Sequence, residues 1–410
     1  MAAERLDPVD LLLLRIAAGA GSAVDEALGR LEAFDWLKLA ERAVIFRLGP
    51  LLAQAIGDHG WPAAPDALAL LERDRREQTL RALSRRRTLA SLAKVMNAAG
   101  MAHAVLKGGA LILGQPADRP VLRLMRDLDI LLSPTDAKQL HAYLLERGWS
   151  VPPGYLRESN PDSHHLAVLA DPENGNLVEL HIRLTKAAWP GGDVLGGRIL
   201  QHAVPVSCLG EEVRIADPES NFLHLLAHAT LNRPFDPGPQ FLADVSGLIA
   251  SAAIDPEALG THARALGLGR ALGLSVSLIG RLAELPDDRW RGLIVQDADD
   301  QLGAAMLAML HRPGRDREMR FHQELSARGS LASWLAASIG RALSPRAEAL
   351  AAIAGREPDD PLRYLAYPRW IAERISSMAK ARFDPGIRRE TSRADALRDW
   401  LSDEVEGGHR

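Results

Sequence analysis

The chain carries one cysteine, Cys208, in 410 residues. A single thiol excludes an internal disulfide and any multi-cysteine metal cluster. It fits a reducing cytoplasm, which is the expected location. No apolar run approaches the roughly 20 residues that cross a bilayer. Leu11-Leu12-Leu13-Leu14 looks briefly like an export signal, but Glu4, Asp7 and Asp10 precede it and Arg15 breaks it. Acid stands where such a signal carries base, so export is not expected, nor is a membrane partner. The net charge of −4 gives no global basic field for nucleic acid. Aromatic residues are scarce, at 5%. Internal repeats and low-complexity segments are missing too.

What is present is an ordinary soluble composition, 47% hydrophobic and 25% charged. The length allows two or three domains and a substantial core. Residues 1–95 read as helices, with segments beginning at Asp7-Pro8 and running over 26–36, 38–48 and 65–99. The last carries Arg73, Arg75, Arg76, Arg81, Arg85, Arg86 and Arg87, a pattern able to contact RNA phosphates. Glu72, Asp74 and Glu77 interleave with them, which favours a solvated helix face. Residues 217–410 again read as helical, starting at Asp217-Pro218-Glu219 and interrupted near Pro286, Pro313, Pro345, Pro358 and Pro385. Leu397 and Trp400-Leu401 suggest a docked last helix within a charged tail.

Residues 96–216 differ. A short apolar strand, His103 to Leu106, leads into Lys107-Gly108-Gly109 and then into the helical Ala110-Leu111-Ile112-Leu113. A glycine pair between strand and helix lets backbone approach a phosphate. Next comes Asp127-Leu128-Asp129-Ile130-Leu131-Leu132. In a strand both carboxylates point to one face, and Leu128, Ile130 and Leu132 point to the other. Two like charges beside a core repel and lose solvation. A divalent cation is the usual compensation, and Mg²⁺ prefers such oxygen ligands. A helix is expected over 134–149. Strands near 165–170 and 177–182 then flank the turn formers Asp171-Pro172-Glu173-Asn174-Gly175-Asn176, with Glu179 and His181 on one face. Residues 191–216 read as a linker, opened by Gly191-Gly192 and Gly196-Gly197, with a short strand pair at its end.

The run of Lys107-Gly108, Arg123, Asp127-Leu128-Asp129 and Glu179-Leu180-His181 resembles the nucleotidyltransferase superfamily typified by DNA polymerase β. It resembles more closely a bacterial branch of uncharacterised nucleotidyltransferases. The resemblance is close over 95–190 and looser to His224, His228 and Asp244. The gap from the glycines to Asp127 is longer than in the wider superfamily, and Gly109 stands where serine is common there. The resemblance implies an α/β core with a small mixed sheet, set between helical regions, with domains at 1–95, 96–216 and 217–410. It implies Mg²⁺, with Mn²⁺ as the alternative ion, held by Asp127, Asp129 and Glu179 against a nucleoside triphosphate. Glu179 would ligate a second ion or help deprotonate the acceptor. Gly108 and Gly109 would cradle the β- and γ-phosphates, Lys107 or Arg123 would neutralise their charge, and His181 would complete the nucleotide site. Arg126 would serve as charge balance. The reaction is transfer of a nucleoside monophosphate to a small molecule, peptide, protein or tRNA end, with release of pyrophosphate. A toxin-like transferase acting on tRNA and a non-catalytic nucleotide-binding interaction module are the alternatives.

His224 and His228 lie four apart on a predicted helix, a spacing that suits zinc. No His-Glu-x-x-His pattern or third ligand accompanies them, so core or substrate-contacting histidines are expected. Asp244 is the candidate partner of His228 or of substrate.

Overall fold

Three Asp-Pro pairs mark helix starts in this chain. Asp7-Pro8, Asp217-Pro218 and Asp255-Pro256 each open a helix, with the Asp side chain accepting a main-chain N–H. Proline takes the first position, where its missing donor costs nothing. The computed structural model describes residues 6–115, 121–153, 155–156, 163–185, 189–231, 234–251, 253–310, 316–328, 345, 347–356 and 359–407.

The N-terminal region contains α1 (Pro8–Ala17), α2 (Asp25–Gly29), α3 (Ala33–Ile45), α4 (Gly49–His59) and α5 (Pro65–Ala98). The helix expected over 26–36 is broken between α2 and α3, and the one expected over 38–48 stops at Ile45. Just beyond it Arg47 adopts φ +63°, which no right-handed helix accommodates. The sequence pattern misses α4 because Gly49-Pro50 reads as a breaker. The pair sits in the first turn, where proline is tolerated. The second half of α5 buries Leu89, Leu92, Ala93 and Met96. Gly100, at φ +66°, then turns the chain into the sheet.

The middle of the chain forms β1 (His103–Val105), α6 (Lys107–Leu113), β2 (Asp127–Leu132), α7 (Pro134–Glu146), β3 (Leu169–Ala170), β4 (Leu177–His181), α8 (Pro190–His202), β5 (Val204–Cys208) and β6 (Glu211–Ile215). The six strands make one mixed sheet in the order β3-β4-β2-β1-β6-β5. β2 lies antiparallel to β1 and parallel to β4. The strand β2 is packed from both sides, since Leu131, on the carboxylate face, is as buried as Leu128, Ile130 and Leu132. The turn between β3 and β4 is stapled to α5. Thr88 Oγ1 donates to Asp171 Oδ2 at 2.6 Å and Asn176 Nδ2 donates to Ser84 Oγ at 3.0 Å. β5 and β6 are joined by Leu209-Gly210, both at positive φ, as a tight hairpin requires.

The expected linker is corrected in its first half, which is the helix α8. Two glycine pairs argue against a helix on propensity, but packing overrides it. The Trp189 ring lies where a Cβ on Gly191 would be, at 2.7 Å. Leu195 and Ile199, one turn apart, are fully buried.

The remaining helices are α9 (Pro218–Thr230), α10 (Pro239–Ala250), α11 (Pro256–Ala265), α12 (Gly269–Leu282), α13 (Asp288–Arg291), α14 (Asp299–Met309), α15 (Asp316–Arg328), α16 (Ala347–Ala354), α17 (Tyr367–Phe383) and α18 (Pro385–Gly407). One apolar core runs from Val9 through the sheet to Leu397 and Leu401 of α18. Arg270 Nη1 donates to the Trp400 carbonyl at 2.6 Å, fixing that last helix. Among the described residues no helix is long and apolar enough to cross a membrane.

Candidate active site

Parallel pairing of β2 with β4 sets the register that matters. Asp129 stands opposite Glu179, and Asp127 stands two residues earlier on the same face. Three carboxylates thereby share one patch. Asp127 and Glu179 are half-buried, and Asp129 is 5% exposed. Such a cluster needs positive charge. Lys107 Nζ and His181 Nε2 both donate to the same oxygen, Asp129 Oδ1, at 2.8 Å. His181 Nε2 also lies 3.5 Å from Glu179 Oε2, and its Nδ1 faces the Arg183 carbonyl at 3.3 Å.

Protonation follows from this geometry. Burial would lower the His181 pKa, but hydrogen bonds to Asp129 and Glu179 raise it and favour the imidazolium. Burial would raise Asp129, yet the Lys107 ammonium and His181 hold its carboxyl well below the usual range. Asp127 has no such partner among the described residues. Burial first, then the charges of Asp129 and Glu179, push it up to about 6.

Lys107 reaches Asp129 from a left-handed backbone, φ +49°, which costs a non-glycine residue about 1–2 kcal/mol. Asn221 of α9 holds it there. Its Oδ1 accepts the Lys107 N–H at 2.8 Å and its Nδ2 donates to the Lys107 carbonyl at 3.3 Å. Asn221 is 1% exposed. Asn221→Ala is therefore expected to cost about 2–3 kcal/mol, read as a lower urea midpoint, because it leaves buried main-chain groups unpaired.

The glycines serve the chain itself. A Cβ on Gly108 would lie 1.7 Å from Arg123 Nη1, and one on Gly109 would lie 2.4 Å from Val105 Cγ1. Gly108 thus makes room for the Arg123 guanidinium, which grips Asp244 of α10 with two bonds, Nε to Oδ1 at 2.7 Å and Nη2 to Oδ2 at 2.9 Å. Asp244 is the partner of Arg123, not of His228. Both cations expected at phosphates, Lys107 and Arg123, are committed to carboxylates of the protein.

His224 is fully buried and neither ring nitrogen has a hydrogen-bond partner among the described residues. Its ring stands 6.5 Å from that of His228. Burial first, then the nearby Lys107, pushes both far towards the neutral form. Along α5, Arg75 and Arg81 pair with Glu72 and Glu77 of the same helix, and Arg85 is buried against the Arg126 carbonyl.

Sequence reasoning missed His164 and took His165 only as the start of a strand. An isolated bridge pairs His165 with His181. The rings of His164, His165 and His181 lie 4.6–5.6 Å apart. One ligand atom from each of His164, Glu179 and His181 falls within 4.8 Å of the others, a set able to hold a metal ion. A histidine doublet one hairpin away from Glu-x-His was the available signal.

No functionally curated protein matches the sequence. Among solved structures, an antigenic nucleotidyltransferase-like protein from Paracoccidioides brasiliensis matches with 20% identity and a TM-score of 0.29, over 40% of this chain and 75% of that one. The family model described as uncharacterised nucleotidyltransferase matches residues 32–284, which include the sheet, the three carboxylates, Lys107 and Asp244. The chain belongs to this family of uncharacterised nucleotidyltransferases.

Proposed function

We propose that the chain moves a nucleoside monophosphate from a nucleoside triphosphate to an acceptor oxygen in a magnesium-dependent reaction. The observation that carries this reading is the register that sets Asp129 beside Glu179 with Asp127 on the same face. The residues fit a divalent ion. Three hard oxygen donors stand on one face of the sheet, and Asp127 is held up near 6 by burial and its like-charged neighbours, a cost that a cation removes. When bound, the ion supplies charge stabilisation and orientation at the reacting phosphorus. Asp127, Asp129 and Glu179 would hold it.

The residues then have distinct work. Lys107 and His181 fix the orientation of Asp129 through its Oδ1. Glu179, with His165 Nε2 at 3.8 Å, is placed to take the acceptor's proton. The acceptor oxygen bonds to the α-phosphorus, the bond to the β-phosphate oxygen breaks, and pyrophosphate leaves with the electron pair. Positioning and electrostatics carry such a reaction.

The test uses nucleoside triphosphates labelled at either end, incubated with the full chain, Mg²⁺ and a pool of cellular small molecules, peptides and RNA. Label from the α-phosphate is expected on a product, and Glu179→Gln should reduce it by about 10²-fold or more. Label carried over from the γ-phosphate instead would contradict the reading.

A further inference from the structure

A cleft of about 840 Å³, lined by Arg126 next to Asp127 in the chain, is walled by α3, the 234–238 turn, α14, α15 and α18. Its volume would admit a ligand of nucleotide size. Seven basic and four acidic side chains line it. Several of these charges are satisfied within the protein. Lys38 pairs with Asp7 at 2.6 Å, Arg42 with Asp10 at 2.7 Å and Arg398 with Asp395 at 2.8 Å.

Arg47 and Arg126 are different. Neither side chain makes an ion pair or hydrogen bond among the described residues. Arg126 immediately precedes Asp127, and its carbonyl accepts from Arg85 Nη2 at 3.4 Å, which anchors its main chain. Arg47 is presented from the strained turn after α3, at φ +63°. Burial first, then the charges of Arg126 and Arg123, push its guanidinium down to about 10; the charges of Asp127 and Asp236 only partly offset this. A half-buried cation facing like charges from a strained backbone is stabilised by an anion. Guanidinium forks match tetrahedral oxyanions by paired N–H donors.

We propose that Arg47 and Arg126 form a phosphate-binding site in this cleft. The ligand carries a phosphate ester or polyphosphate, and it is either the nucleotide itself or a phosphorylated acceptor. The role of this site in transfer rests on the reading of the carboxylates given above, but anion binding does not.

The experiment is a metal-free calorimetric titration of the full chain with inorganic pyrophosphate. Binding is expected, weakened at least tenfold by Arg47→Gln and by Arg126→Gln and unchanged by Arg289→Gln. Arg126 is exposed, so its variant keeps the fold. Asp127→Asn should bind pyrophosphate at least as tightly as wild type, since it removes a repelling charge. That separates failure of this site from failure of the metal site. In a second titration with Mg²⁺ present, nucleoside triphosphate that displaces pyrophosphate would assign the site to the nucleotide's own phosphates. Simultaneous binding of both would assign it to a phosphorylated acceptor. No wild-type binding, or wild-type affinity retained in either arginine variant, would overturn the proposal.

Discussion

Asp127→Asn is expected to abolish magnesium-dependent nucleotide binding and lower transfer by about 10²-fold or more, with stability at pH 7 equal to or above that of wild type. Asp129→Asn is expected to lose the same binding and to lose about 3–5 kcal/mol of stability as well. The two carboxylates are neighbours in sequence but not in energetics. Asp127 is half-buried, forms no ion pair among the described residues, and is pushed up to about 6 by burial and by Asp129 and Glu179. Its ionised form is therefore unfavourable in the metal-free fold at pH 7, and a neutral isostere relieves it. Asp129 accepts from both Lys107 and His181 through one oxygen. Neutralising it strands two buried cations. Urea unfolding of both variants, without metal, checks the contrast. Equal stability losses would contradict it.

Gly108→Ala is expected to cost about 3 kcal/mol in the wild-type background and little in Arg123→Ala. A methyl at residue 108 would occupy the position of the Arg123 guanidinium, at 1.7 Å from Nη1. The guanidinium cannot move without breaking its two bonds to Asp244, a buried carboxylate that burial alone pushes upward. Breaking a buried pair from one side leaves a charge uncompensated and typically costs 3–5 kcal/mol. Once Arg123 is gone, the methyl fills the space it leaves. The double-mutant cycle should therefore be strongly non-additive. Additive losses would show that Gly108 is needed for another reason, such as close approach of a ligand to the backbone.

The carboxylate strand was legible because it combines a period of two with an unusual burden. Asp127 and Asp129 alternate with leucine and isoleucine, and only a strand puts both acids on one side. The turn at 171–176 was legible from Asp, Pro, Asn and Gly, each of which favours a turn for a local reason. Helix starts at Asp-Pro were legible for the same kind of reason. What failed was tertiary. Nothing local in Gly191-Gly192 says that the Trp189 ring will lie where a Cβ would be. Nothing local tells that Arg123 will grip a carboxylate 121 residues away. Gly108 was read for the phosphate that such turns often hold, whereas its missing Cβ also makes space for that arginine. His164 and His165 join the site through strand pairing with β4, and Arg47 is brought into one cleft with Arg126 by tertiary packing.

The central claim is that Asp127, Asp129 and Glu179 form a metal-dependent nucleotide site. Calorimetric titration of wild type and Asp127→Asn with each of the four nucleoside triphosphates, with and without Mg²⁺, tests it most directly. Binding that requires Mg²⁺ in wild type and disappears in Asp127→Asn is the predicted result. Binding that ignores Mg²⁺, or that survives unchanged in Asp127→Asn, would contradict it.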